Sequence, residues 1–86
     1  MEGLTNHEIT VCLNGGAILG PFKATWSKEN VSDVRELMRE YDAYLGGTPQ
    51  KRFKFHLHDQ ERRLSHTLIL DFKDVTGIYD RVELLE

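Results

Sequence analysis

Cysteine is almost absent from this chain, since Cys12 is the only one among 86 residues. A single cysteine excludes an intrachain disulfide and any metal site built from several thiolates. Long apolar runs are missing too: none approaches the roughly 20 residues of a membrane-spanning helix, and the opening MEGLTNHEIT lacks the basic and apolar regions of a signal peptide. We therefore expect a protein of the reduced cytoplasm that does not enter a membrane.

The chain also lacks an excess of positive charge, and its formal net charge of −3 gives no overall attraction to DNA or to anionic membranes. The charge is nevertheless unevenly spread. Residues 51–66 carry five cations against two carboxylates, a balance of +3, while residues 1–50 (four against seven) and residues 67–86 (two against five) each sum to −3. One short basic segment therefore lies within an otherwise acidic chain.

The sequence does have the composition of a folded domain, with 40% hydrophobic and 29% charged residues. A chain of 86 residues is long enough to bury one hydrophobic core. Because it contains no internal repeat and no long linker, we expect a single domain over residues 1–86, with residues 1–6 as a disordered tail.

Alternating apolar residues predict two strands near the start, at about residues 8–13 and 17–26. Asn14-Gly15 between them is the strongest short-range signal for a hairpin, because a type I′ turn needs two positive φ angles. Pro21 cannot donate to a strand ladder, so we expect the second strand to lie at an edge or to carry a bulge at this point.

The period then changes to that of an amphipathic helix, with apolar residues three and four apart and charged residues on the opposite side. Asn30 is placed to cap the N-terminus of this helix, and Gly46-Gly47 to end it. Its apolar positions are Val31, Val34, Leu37, Met38, Tyr41 and Leu45. No other segment of the sequence has this period.

Three more strands are predicted after the helix, at residues 51–58, 64–72 and 78–85. The order ββαβββ is typical of an α+β fold, in which an antiparallel sheet carries one amphipathic helix packed on one face. In a domain with one helix, nothing else in the chain would cover the other face of the sheet.

The segment KRFKFHLHD, residues 51–59, alternates apolar side chains with cations and histidines. Its first eight residues resemble in part the octamer of RNA-recognition motifs, in which a cation is followed by aromatic residues. An aromatic platform open to solvent would, however, bury the charges of Arg52 and Lys54 beneath the helix, which costs several kcal/mol for each unpaired charge. We therefore expect Phe53, Phe55 and Leu57 to face the helix.

Strands 3 and 4 are predicted to pair in the register that sets apolar residues opposite apolar residues. This register places Leu68 opposite Phe55 and turns His66 to the inner side, opposite Leu57. A shift by one residue would instead turn every apolar side chain of one strand toward solvent.

His56 and His58 lie on the outward side of strand 3, an arrangement that can offer two ligands to a metal ion. A third ligand would have to be His66 or Asp59, and the predicted register turns both of them to the other side of the sheet. We therefore predict no metal site, and we predict no cofactor.

No group of residues has the pattern of an active site. The glycines of NGGAILGPF have neither phosphate-loop spacing nor a helix directly after them. Cys12 has no base beside it in its strand and is predicted to be a half-buried small hydrophobe. The aspartates at positions 71, 74 and 80 are near turns, where aspartate is common. We therefore predict that the protein is not an enzyme.

The uncovered face of the sheet is the feature that could carry a function, because aliphatic, aromatic and arginine side chains together resemble an interface core. We predict a non-catalytic protein-interaction module, such as a small adaptor, inhibitor or assembly protein. It would use this open face or an edge strand such as the C-terminal VELLE, and its simplest partner is a second copy, giving a homodimer. The predicted partner-binding residues are Leu19, Lys54, His56, His58, Ile69, Tyr79 and Arg81, with Leu85 on the same face.

Weak nucleic-acid binding through the basic segment 51–63 is the alternative function. The residues that would contact phosphates are Lys51, Arg52, Lys54, Arg62 and Arg63. The acidic segments on either side oppose this binding, and a solvated charged surface is the plainer explanation of the cations.

Overall fold

A computed structural model describes residues 5–29 and 31–84 of the chain. It contains five strands and one helix in the predicted order, with antiparallel pairing throughout, which confirms the α+β fold. The elements are β1 (Thr5–Leu13), β2 (Ile18–Trp26), α1 (Val34–Leu45), β3 (Lys54–Asp59), β4 (Leu64–Ile69) and β5 (Val75–Leu84).

The strands form two sheets where the sequence predicts one: a three-stranded sheet in the order β2-β1-β5 and a two-stranded sheet of β3 and β4. The reason lies at β3, because the residues just before α1 run along its outer edge. The Asp33 N–H donates to the His56 carbonyl at 2.7 Å, in the place where a neighbouring strand would bond. The outer edge of β3 is therefore occupied by the residues before α1 instead of by a strand of the other sheet.

The hairpin predicted between β1 and β2 is present, but its turn is different. Residues Asn14–Gly16 form a short 3₁₀ turn, closed by a 2.8 Å hydrogen bond from the Leu13 N–H to the Ala17 carbonyl. The positive φ angles fall on Gly15 and Gly16, at 83° and 88°. The turn therefore uses the second and third residues of NGG rather than Asn14-Gly15 of a type I′ turn.

The predicted bulge in β2 is confirmed at Gly20, and it changes which residues face the core. Ile9 is opposite Phe22 while Val11 is opposite Leu19, so β2 carries one extra residue in this interval. Gly20 has φ of 100°, and a Cβ there would lie 2.8 Å from the Ile9 carbonyl oxygen. The extra residue reverses the alternation, so the prediction that Leu19 faces outward is wrong: Leu19 packs against the core.

Helix α1 is shorter at its start than the sequence predicts. It begins at Val34, and Val31 lies ahead of it with 79% of its surface exposed. The predicted cap, Asn30, lies outside the described residues. The predicted end of the helix at Gly46-Gly47 is confirmed. The Gly46 N–H donates to backbone carbonyls of the last helical turn, and Gly47 has φ of 104°.

One core joins the two sheets and the helix. Phe55 and Leu57 are fully buried and the register that sets Leu68 opposite Phe55 is present, as predicted. Phe53 is instead 47% exposed, so its predicted inward position is wrong. Phe72 fills this end of the core, with its ring centroid 6.0 Å from that of Phe55. The other buried apolar residues are Ile9, Val11, Ala24, Val34, Leu37, Tyr41, Leu70 and Val75.

The ends of the outer strands also differ from the prediction. Strand β1 begins at Thr5, so residues 5 and 6 belong to the sheet rather than to the predicted tail, while residues 1–4 lie outside the described part. Strand β4 ends at Ile69. A 3₁₀ turn over Phe72–Asp74 follows, and β5 then starts at Val75, three residues before the predicted position.

Candidate interaction surface

The predicted partner-binding residues are distributed over both sheets instead of forming one sheet face. Lys54, His56, His58 and Ile69 are on the outward side of β3 and β4. Tyr79 and Arg81 are on the outward side of β5, opposite residues of β1. Leu19 faces the core, as described above, and Leu85 lies outside the described residues. Two separate outward surfaces therefore have to be considered.

The outward surface of β3 and β4 carries two histidine rings side by side. The rings of His56 and His58 stack with centroids 6.4 Å apart, and the Thr67 hydroxyl is 3.3 Å from Nδ1 of His56. His66 is on the inner side, against the ring of Phe22 at 5.1 Å. Within residues 5–29 and 31–84, no three His, Cys, Asp or Glu side chains are grouped so that they could hold a metal ion.

The basic segment is partly neutralised by nearby carboxylates. The Arg52 guanidinium donates to Asp33 at 2.6 Å, and Nε of Arg62 is 3.6 Å from Asp59. No carboxylate of the described residues is within ion-pairing distance of the other three cations, Lys51, Lys54 and Arg63. Two of the five cations predicted to bind phosphates are therefore paired within the domain.

The outer edge of β3 is closed by two residues that precede α1. One carboxylate oxygen of Asp33 accepts the His56 N–H at 2.7 Å, and the Ser32 hydroxyl accepts the His58 N–H at 3.2 Å. Ser32 is buried and the Asp33 side chain is 12% exposed, so water competes little for these groups. Outward N–H groups of β3 are thus satisfied by side chains, and the strand offers little at this edge to another chain.

Strand β5 is the opposite case, because it lies at the end of the β2-β1-β5 sheet and, among the described strands, pairs only with β1. It is ten residues long and contains no proline. None of the described residues forms a backbone hydrogen bond to its outer edge between residues 77 and 84. Tyr79 and Val82 are 61% and 46% exposed, so the edge combines free backbone groups with accessible apolar side chains.

The backbone groups at this edge follow from the direction of hydrogen bonds in β1. The Leu13 N–H donates to the carbonyl of Ala17, on the β2 side. Odd-numbered residues of β1 therefore direct their N–H and C=O groups toward β2, and even-numbered residues direct theirs toward β5. Even-numbered residues of β1 are opposite odd-numbered residues of β5, for example Thr10 opposite Tyr79. Between residues 77 and 83, the even-numbered residues of β5 are Ile78, Asp80 and Val82, and these must therefore direct their N–H and C=O groups outward.

Asp80 of this edge strand is fixed by His7 of β1. Nδ1 of His7 lies 2.9 and 3.1 Å from the two carboxylate oxygens of Asp80, and Nε2 lies 2.7 Å from the Thr5 hydroxyl. A proton on Nδ1 lets the ring donate to Asp80 while Nε2 accepts from Thr5. The ring is buried, and the contact draws the Asp80 carboxylate toward β1 and away from the free edge.

A pocket of about 360 Å³ lies beside the first residues of β1. Asp59, which is 4% exposed, reaches it from the end of β3. One Asp59 oxygen accepts the Arg62 N–H at 3.2 Å, while the other accepts no hydrogen bond from the residues that the structure describes and lies 3.6 Å from the Arg62 guanidinium. These contacts hold the turn between β3 and β4. Since both carboxylates and cations, including Glu8 and Arg81, line the pocket, it favours no single class of ligand.

Sequence reasoning missed Asp33 as a residue that closes the edge of β3, and it missed the contact between His7 and Asp80 beside the edge of β5. Each acts on a residue far along the chain: Asp33 on His56, and His7 on Asp80. Residue spacing carries no signal for such contacts. The alternation of β5 could have identified Val82, but only once the strand order was known.

No family model, no curated protein and no solved structure matches this chain. Among the described residues, no helix combines the length and the apolar character needed to cross a membrane.

Proposed function

We propose that this domain is a non-catalytic protein-interaction module and that its docking element is the free edge of β5. A partner would add an extended strand to the three-stranded sheet through backbone hydrogen bonds, and the outward side chains of Tyr79 and Arg81 would contact it beside the edge. The proposal keeps the cytoplasmic location suggested by the single free cysteine, Cys12.

One observation carries this proposal: the contrast between β5 and the other long strand at an edge. Strand β2 is broken by the bulge at Gly20, and its Pro21 has no N–H to donate. Strand β5 directs backbone groups of Ile78, Asp80 and Val82 outward over a stretch without proline. Long open edges of this kind pair readily with another strand unless they are blocked.

Substitution of Val82 by proline tests the edge directly. Because the N–H of Val82 points outward, proline removes a donor from the free edge and leaves the bonds to β1 in place. The measurement is capture of partners from a cell lysate on the immobilised domain, followed by a binding assay with each purified partner. We expect Val82→Pro to lose binding and the Val82→Ala control, which shortens the side chain but keeps the N–H, to lose clearly less.

The same assay separates this proposal from the alternative of weak nucleic-acid binding. Retention of every partner by a folded Val82→Pro variant would contradict docking at β5. Binding of a polyanion at low salt that is lost in a Lys51→Ala/Lys54→Ala/Arg63→Ala variant would instead favour the basic segment, since no carboxylate within residues 5–29 and 31–84 pairs with these three cations.

A further inference from the structure

The edge of β5 has a sequence that complements itself in one antiparallel register. We propose that its occupant is β5 of a second copy of this chain, paired around a two-fold axis at Asp80. The pairing would join two sheets into one of six strands, in the order β2-β1-β5-β5-β1-β2. This inference rests on the proposed function, because it names the partner for the same edge.

The direction of the backbone groups limits the possible registers. In an antiparallel pair, residues that exchange both hydrogen bonds lie directly opposite each other, so Ile78, Asp80 and Val82 must face even-numbered residues of the second copy. A two-fold axis perpendicular to the sheet satisfies this condition and makes the interface the same on both sides. The register is then fixed by the residue that lies on the axis.

Side-chain pairing favours the axis at Asp80. Ile78 then lies opposite Val82 of the second copy, and Tyr79 opposite its Arg81, and each pair occurs twice. The first pair joins two apolar side chains, and the second brings a guanidinium to an exposed aromatic ring. Tyr79 and Arg81 direct their backbone toward β1, so their pair is of the kind without hydrogen bonds, in which side chains are closest.

The neighbouring registers are less favourable. An axis at Arg81 sets the two arginines directly opposite each other, and like charges in that position are destabilising. An axis at Tyr79 sets Ile78 opposite the Asp80 carboxylate. The Asp80 register has its own pair of like charges at the axis, but each carboxylate is held by His7 at 2.9 Å, on the side away from the axis.

The other strand edges within residues 5–29 and 31–84 do not offer an equivalent site. At the edge of β3, the side chains of Ser32 and Asp33 accept backbone N–H groups. Strand β2 carries the bulge at Gly20 and Pro21. Strand β4 is six residues long and β5 is ten. Strand β5 is therefore the edge that can form the longest continuous ladder with a copy of itself.

Sedimentation equilibrium over a range of protein concentrations tests the self-association. We expect the wild type to form a dimer and the Val82→Pro substitution to raise the dissociation constant of that dimer at least tenfold. Val82→Lys is the second variant, since it puts a charge opposite Ile78 while retaining the N–H, and circular dichroism checks that both variants fold. A wild type that stays monomeric at millimolar concentration overturns the inference.

Cysteine crosslinking tests the register. In a Cys12→Ser background, we expect Tyr79→Cys and Arg81→Cys chains, mixed and oxidised with copper–phenanthroline, to form a mixed disulfide dimer with several-fold higher yield than either variant alone. Crosslinking of Tyr79→Cys alone or of Arg81→Cys alone as the dominant product overturns the Asp80 register, because it would place the axis at that residue.

The two experiments also distinguish the inference from the proposed function. A monomeric wild type that binds another protein, and loses it on Val82→Pro substitution, overturns the second copy as partner and leaves the β5 edge as a docking element. A dimer that Val82→Pro and Val82→Lys leave intact overturns the second copy as the occupant of β5, since the contact would then lie elsewhere on the molecule. If Val82→Pro also retains every captured partner, the proposed function is overturned as well.

Discussion

Within the part of the chain that the structure describes, strands β3 and β5 each pair with one other strand, and their second edges differ. At β3, a hydroxyl and a carboxylate from the residues before α1 accept backbone N–H groups. At β5, the corresponding groups of Ile78, Asp80 and Val82 face away from the sheet. An open edge is therefore not a general consequence of building two small sheets, since the same chain closes one edge and leaves the other accessible.

The two strands also differ in how much of the core depends on them. Strand β3 contributes Phe55 and Leu57, both with no exposed surface, while the side chain of Val82 in β5 is 46% exposed. Strand β3 is thus constrained at its inner face and at its edge, whereas the outer part of β5 is free to change. A surface that can vary without unfolding the domain is suited to binding a partner.

The largest expected effect comes from truncating the inner face of β3. Phe55→Ala removes a fully buried ring that stacks on Phe72, so we expect a loss of about 3–5 kcal/mol in the free energy of unfolding. The matched change in β5, Val82→Ala, should cost about 0.5 kcal/mol or less because the side chain is partly exposed. Urea unfolding of both variants measures the difference, and equal losses would refute it.

The next largest loss of stability is expected in strand β2, whose edge is interrupted by the bulge at Gly20 rather than closed by side-chain hydrogen bonds. Gly20→Ala forces a side chain into a backbone with φ of 100° and brings its Cβ 2.8 Å from the Ile9 carbonyl oxygen. We expect a loss of about 2–4 kcal/mol, of which backbone strain alone accounts for about 1–3. The measurement is again urea unfolding.

Gly47→Ala is the matched control for Gly20→Ala. Gly47 has nearly the same φ, 104°, but a Cβ there would meet no atom within 4 Å. The difference between the two variants isolates the contact with Ile9. If both lose the same stability, the bulge tolerates a side chain and only the backbone angle matters.

The elements of this fold and the pairing of β3 with β4 are predictable from the sequence because both depend on local patterns of apolar and polar residues. Phe55 and Leu68 are opposite each other as predicted, since a shift of the register by one residue would expose one of them. Leu19 and Phe53 were placed on the wrong side for two different reasons. The bulge at Gly20 reverses the alternation that Leu19 depends on, and Phe72 fills the core where Phe53 was expected.

The candidate site was less predictable because it depends on contacts between distant parts of the chain. Alternation alone predicts that Tyr79 and Arg81 face outward, and both side chains are exposed. Which strands have open edges could not be predicted, because that depends on the order of the strands and on the contact of Asp33 with His56, 23 residues away. The sequence contains these residues but gives no indication that they meet.

A smaller effect is expected from opening the closed edge of β3. Asp33→Ala removes the acceptor of the His56 N–H, so we expect a loss of about 1.5–3 kcal/mol. The ion pair with Arg52 contributes little of this, because the arginine side chain is 40% exposed and solvent screens the charge. Asp33→Asn is the control: it keeps an acceptor for His56, so it should lose clearly less stability than Asp33→Ala in the same urea titration.

The smallest perturbation is to exchange amide protons for deuterium in the unmodified protein at low concentration. In β5, we expect the amides of Ile78, Asp80 and Val82 to exchange roughly tenfold or more faster than those of Tyr79 and Arg81, because only the latter bond β1. In β3, the amides of His56 and His58 should both be slow, since Asp33 and Ser32 accept them. Nuclear magnetic resonance spectra recorded after transfer to deuterated water resolve the individual residues.

The concentration dependence of the same exchange connects the edge to its partner. If β5 pairs with a second copy, the amides of Ile78, Asp80 and Val82 should become protected as the protein concentration rises, while those of His56 and His58 stay unchanged. Equal protection of all five amides at every concentration would contradict the contrast between the two edges, because it would mean that the outer groups of β5 already have acceptors within the monomer.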